Sequence, residues 1–157
     1  MPAGQGPGLR ALLEKERSGV LATLSARRDG WPFASVAPYA LTAPGEPLLL
    51  LSRLAEHTRN LLADARASLL VQDHASLTDP QAGARITILG QIEVVREPEL
   101  EPARARYVSR HPHSAEYLAL GDFHLYVLRV SEARFIGGFG DMGWIDGERL
   151  RAELKQS

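Results

Sequence analysis

The chain has 157 residues, no cysteine, 45% hydrophobic residues, and 18 basic against 19 acidic side chains, for a formal net charge of −1. A domain commonly takes roughly 100–200 residues, so one domain with one substantial core is expected. Lack of cysteine excludes thiol nucleophiles, disulfide frameworks, Cys-ligated zinc and iron–sulfur clusters, and near-zero charge gives no general attraction to nucleic acid or anionic membranes.

Residues 1–8 read as a flexible tail ahead of a domain over 9–157. Leu9, Leu12 and Leu13 among charged neighbours predict a short amphipathic helix over 9–17, ending near Gly19. A strand over 20–25 follows, then Arg27-Arg28-Asp29-Gly30, a hairpin signal because Gly30 takes positive φ without a Cβ clash. The strand over 33–41 contains Pro38, which predicts an edge or a bulge there. Residues 42–47 form a loop and 48–52 a third strand. A helix is expected over 55–64, with Leu61 and Leu62 as its buried face.

A fourth strand spans 67–73, a loop 74–83, and a long strand 85–95, where Gly90 marks a bulge or bend. Pro98 suits the first turn of a helix reaching about 109. A short helical piece over 115–120 and the longest strand, 123–136, complete the core. Beyond Gly137 the chain reads as irregular, with a short helix over 148–155. Six strands with few long helices predict a mainly β fold: a six-stranded antiparallel barrel with peripheral helices. The longest purely aliphatic run, residues 48–51, is far short of the roughly 20 needed to cross a bilayer. A cytoplasmic protein without membrane or nucleic-acid partners is expected.

Gly138-Phe139-Gly140-Asp141-Met142-Gly143 spells G-x-G-x-x-G. A dinucleotide site needs a helix directly after it and then another strand, and the remaining chain is too short for both. The segment reads instead as a glycine-rich turn presenting Phe139 and Trp144. His111-Pro112-His113 is the one close histidine pair and H-E-x-x-H is absent, so no metal centre is expected. No G-x-S-x-G elbow occurs. Glu97, Glu99 and Glu101 surround a helix start, where they complement the dipole.

One constellation differs. Ser52 ends a strand, and Arg53, His57, Thr58 and Arg59 lie at the start of the following helix. Free N–H groups, hydroxyls and cationic side chains at a helix N-terminus suit an anion; an ordinary capped helix suits the same residues. The charge balance leans on arginine, because Lys15 and Lys155 are the only lysines. That matches the general richness in alanine and leucine, and at single positions it suits phosphate or carboxylate groups.

Phe33-Ala-Ser-Val-Ala-Pro-Tyr39, Leu51-Ser-Arg-Leu-Ala-Glu-His-Thr-Arg-Asn-Leu61 and Gly121-Asp-Phe-His-Leu-Tyr126 resemble the FMN-binding split-barrel, pyridoxamine-phosphate-oxidase-like family. Arg134-Phe-Ile-Gly-Gly-Phe-Gly140 with Trp144-Ile145 resembles its haem-utilisation (HugZ-type) branch. The resemblance implies a six-stranded split barrel and a homodimer with FMN at the interface. It implies that Ser35 and the backbone of Val36 and Ala37 line the flavin ring. Ser52, His57 and Thr58 would follow the phosphate, with Arg53 or Arg59 as supplementary charges. Arg85, Phe139 and Trp144 would approach from the partner or from the closing loop.

Two departures stand out. His57-Thr58 replaces the Arg-Lys pair of the oxidase proper, and the basic C-terminal motif is missing, so pyridoxamine-phosphate oxidation is not expected. HugZ-type proteins hold haem with further C-terminal sequence, absent after Ser157. The leading expectation is therefore an FMN-dependent oxidoreductase on an unidentified small molecule. The alternatives are a haem-binding or haem-degrading protein with His111 or His113 on iron, and a non-catalytic flavin-binding module. No general base stands out; Tyr39, His124 and Arg85 are the first polar residues to test.

Overall fold

The computed structural model describes residues 5–138 and 141–155. Helix α1 (Gln5–Lys15) precedes strands β1 (Ser18–Leu24), β2 (Pro32–Leu41) and β3 (Pro47–Ser52). Helix α2 (Glu56–Ala63), β4 (Arg66–Gln72) and β5 (Arg85–Val94) come next, then α3 (Leu100–Arg110) and α4 (Ser114–Leu118). Strands β6 (Phe123–Gly138) and β7 (Asp141–Asp146) and helix α5 (Gly147–Lys155) complete the chain.

All strand pairings are antiparallel, in the order β3-β2-β1-β4-β5-β6-β7, and β3 also pairs with β6. That extra pairing closes six strands into a barrel and leaves β7 as an appendage on β6. Period-two alternation builds the interior: Leu21, Leu69, Val71, Ile86 and Ile88 are buried, while their chain neighbours face outward. Strand β3 breaks the alternation because it is covered on both faces. Leu49 and Leu51 join the barrel core, whereas Leu48 and Leu50 join a second cluster with Ala103 and Tyr107 of α3 and Leu125 and Val127 of β6. Two-sided cover explains its continuous leucine run.

Asp29 (φ 49°) and Gly30 (φ 78°) turn the β1–β2 hairpin as expected. Pro38 lies just outside the stretch of β2 that pairs with β3, which begins at Tyr39, so the first part of β2 has β1 on one side only. The register shifts between Leu89 and Gly90. A Cβ at Gly90 would stand 2.0 Å from the Arg129 carbonyl oxygen, so this bulge admits no side chain.

Several expectations need correction. Residues 141–146 form β7, not irregular chain; Ile145 is buried while Met142 and Trp144 face out, a period-two pattern masked by the surrounding glycines. Of the tail expected over 1–8, residues 5–8 are helical, and 1–4 lie outside the described residues. Gly19 belongs to β1 and caps no helix. In α2 Leu61 is buried but Leu62 is 70% exposed, since consecutive helical positions are too far apart around the axis to share a narrow buried face. Pro98 precedes α3 in a turn closed by Glu99 N–H donating to the Arg96 carbonyl at 2.9 Å. Among the described residues, no helix is long and apolar enough to cross a membrane.

Candidate functional site

The β3–α2 junction is tied to the chain just before β6. Ser52 Oγ donates to Asp122 Oδ2 at 3.0 Å and accepts from Leu54 N–H at 3.1 Å, while Arg53 N–H donates to the Asp122 carbonyl at 2.7 Å. Ala55 occupies the N-cap of α2 and offers no side-chain acceptor. The first-turn N–H groups, which have no partner within a helix, therefore lack the usual cap. Thr58 is wholly buried in this turn, and its Oγ1 has no hydrogen-bond partner. A buried orphan hydroxyl beside uncapped N–H groups is a place where an oxyanion would satisfy several donors at once.

His57 joins this turn to β2, with Nδ1 3.0 Å from Ser35 Oγ. Burial pushes the imidazole below its ordinary pKa, which favours the neutral ring. Asn60 escaped the sequence reading. Its Nδ2 donates to Thr23 Oγ1 at 3.0 Å, and its Oδ1 accepts from Ala26 N–H at 3.0 Å, so one buried amide fastens α2 to β1 and the hairpin. A buried Asn in an otherwise amphipathic helix was the available signal.

The other expected site residues are distributed as follows. Val36 is 72% exposed, whereas Ala37 turns its side chain into the core. Arg53 and Arg59 are exposed, and Arg59 stands 3.9 Å from Glu56. Arg85 Nη1 donates to the carbonyls of Pro80, Gln81 and Gly83 at 3.2, 3.0 and 3.1 Å, fastening that loop. Trp144 is 57% exposed, with the Arg134 guanidinium 5.6 Å from its ring centroid. Phe139 lies outside the described residues. Ser35, Ser52, His57 and Thr58 thus cluster around α2, while Arg85 and Trp144 sit on β5 and β7.

The four remaining polar candidates, Tyr39, His111, His113 and His124, differ in their surroundings. Tyr39 OH donates to the Leu13 carbonyl at 2.7 Å, and burial raises its pKa well above the ordinary phenol value. His111 is buried, and its Nε2 lies 2.7 Å from the Tyr39 carbonyl, which occupies that nitrogen within the fold. His113 is exposed. His124 on β6 carries a buried Nε2 with no hydrogen-bond partner.

Cross-strand registry connects the two halves. Val36 pairs with Val20, Val20 with Leu70, Leu70 with Thr87, Thr87 with Arg134 and Arg134 with Trp144. Directly paired residues share a sheet face, so a single outward row runs from Val36 to Trp144. Its β2-β1-β4 end is apolar, flanked by Ala34 opposite Ala22 and Pro32 opposite Leu24.

Residues 9–151 match the family model described as CREG, beta-barrel. The chain belongs to the CREG beta-barrel family. It is 33% identical over 147 residues to the chloroplastic non-canonical haem oxygenase HOZ of Arabidopsis thaliana, covering 94% of this chain and 44% of that protein. It is 28% identical over 148 residues to the haem oxygenase HutZ of Vibrio cholerae, covering 92% of this chain and 82% of that one. The solved structure of a haem-binding protein from Mycobacterium smegmatis superimposes with a TM-score of 0.88 at 36% identity, over 97% of this chain and 62% of that one. The chain therefore spans under half of the plant relative and under two thirds of the mycobacterial one. The placement agrees with the resemblance to pyridoxamine-phosphate-oxidase-like split barrels and their HugZ-type branch. These relatives are named for haem, which backs the haem alternative above the leading expectation of an FMN oxidoreductase.

Proposed function

We propose that this CREG beta-barrel protein binds haem as a pair of copies and serves haem breakdown. The observation that carries this reading is the 33% identity to a haem oxygenase across 94% of the chain. Haem is a flat, largely apolar ring with two carboxylates, and the chemistry of the outward row suits it. Val36, Val20 and Leu70 offer an apolar wall, while Trp144 offers an aromatic face and Arg134 a cation.

Val36 and Trp144 are five strand spacings apart, about 24 Å along the sheet at roughly 4.8 Å each. One copy alone cannot close both ends of the row on a single ring. A two-fold pair packed through the β2-β1-β4 face would bring the Trp144 end of one protomer toward the Val36 end of its partner. Bound haem would supply the iron and its oxygen chemistry. The chain's own residues would orient the ring, hold its carboxylates and keep water from it.

The uncapped first turn of α2 with the orphan Thr58 hydroxyl favours a second ligand, FMN, its phosphate held by Ser52, His57 and Thr58. In that reading the barrel is a flavin oxidoreductase or a flavin holder. Mass spectrometry of the ligand released from protein purified without added cofactor separates the two. Haem or a tetrapyrrole fragment supports haem handling, and FMN alone supports the second reading.

A further inference from the structure

A separate cleft of about 560 Å³ opens between α1, β2 and α3 and shares no residue with the site around α2. Leu13, Tyr39, Ala40, Leu41 and Ala105 give it an apolar lining. Arg17, Arg106 and Arg110 also line it, and each guanidinium is anchored to a backbone carbonyl. Arg17 Nη1 donates to the Arg110 carbonyl at 2.9 Å, Arg110 Nη2 to the Glu16 carbonyl at 2.5 Å, and Arg106 Nε to the Leu41 carbonyl at 2.7 Å.

Two of these anchors sit just beyond or at the C-terminal ends of α1 and α3, where helix carbonyls favour cations. Capping accounts for one N–H on each arginine. A guanidinium carries five donors and a permanent charge, so most of the binding capacity stays unspent. Among the described residues, none of the three arginines forms an ion pair with a carboxylate. Glu14 is the one acidic residue in the lining, and its carboxylate is 2.7 Å from Arg10. The positive field extends inward. His111 is held below its ordinary pKa first by burial, and further by the charges of Arg110 and Arg17.

We infer that this cleft binds a small organic anion bearing at least two acidic groups, carboxylate or phosphate, on an apolar body. Three forks held in place by backbone anchors pay little ordering entropy when they close on oxyanions. Leu41 and Ala105 offer accessible apolar surface to the rest of the ligand, over a floor of the buried Leu13, Tyr39 and Ala40, in a volume ordinary for a small-molecule site. The inference stands apart from the haem reading, since it uses none of the same residues.

The test uses the intact chain with two probes, phthalate and inorganic pyrophosphate, titrated calorimetrically at fixed ionic strength. Submillimolar binding of either supports the site, and the tighter probe identifies the acidic group. Arg17→Gln combined with Arg106→Gln should weaken that probe at least tenfold. Arg106→Gln alone, which alters one exposed side chain, should weaken it measurably with an unchanged melting temperature. Arg66→Gln on β4, paired with Asp64, should leave affinity unchanged. No binding of either probe, or equal affinity in the arginine variants and wild type, overturns the inference.

Discussion

Val36 and Trp144 terminate one outward cross-strand row, joined through Val20, Leu70, Thr87 and Arg134. Both are more than half exposed in a single chain, at 72% and 57%. If two copies cover the apolar end of the row, Val36→Glu places an unpaired carboxylate in the interface. Burying such a charge costs several kcal/mol, which corresponds to at least about a hundredfold weaker association. Sedimentation velocity should show a monomer for the variant and a dimer for the parent chain. A dimer of undiminished affinity would remove this face from the assembly.

Asn60 offers a test of how α2 is held. Asn60→Ala removes a buried amide, strands the Ala26 N–H and takes from the Thr23 hydroxyl the donor it accepts from, leaving that hydroxyl its contact with the Phe33 carbonyl, at a cost of roughly 1–3 kcal/mol. The urea midpoint should fall accordingly. Ligand binding at the α2 turn should weaken as well, because His57 and Thr58 ride on the same helix. An unaltered midpoint would mean that other contacts dock α2.

Acid should destabilise the fold before the carboxylates titrate. Burial is the main cause holding both His57 and His111 below the ordinary imidazole value of 6.5. The unfolded chain takes up protons near 6.5 while the folded rings stay neutral to lower pH. Their contribution to stability is thus fully present above 6.5 and is lost progressively as pH falls below it. Urea midpoints should be lower at pH 5.5 than at 7.5, and the difference should shrink in His57→Gln and His111→Gln. Equal midpoints at the two pH values would contradict this.

At the bulge, Gly90→Ala forces a methyl group against the Arg129 carbonyl, since the built Cβ lies 2.0 Å from that oxygen. Overpacking of this kind costs typically about 1–3 kcal/mol. The melting temperature should drop without loss of the β-sheet spectrum. A neutral effect would show that β5 and β6 separate easily there.

The barrel was legible because its strands alternate and its turns carry Asp-Gly or Pro-Gly. The bulge was legible too, because Gly90 interrupts an otherwise β-branched and aliphatic strand. Strand β7 was hidden, since Gly138, Gly140 and Gly143 read as turn chemistry while pairing with β6 supplied the order. The gathering of Ser52, His57 and Thr58 at the β3–α2 junction could be read from residue types at a helix start. What could not be read was the missing cap at Ala55 and the orphaned Thr58 hydroxyl, because both depend on what the tertiary fold brings nearby. The fastening of the 80–83 loop by Arg85 Nη1 is equally invisible in the sequence, because it depends on where the fold carries those carbonyls. His111 likewise looked available in a loop, yet it is buried against β2.

Haem binding by this barrel can be read by titrating the purified chain with haem and recording the absorbance spectrum. A saturable Soret band at near one haem per chain is expected, weakened in Val36→Glu and in Trp144→Ala. A spectrum identical to free haem at every ratio, with FMN bound at one per chain in a parallel titration, would contradict it.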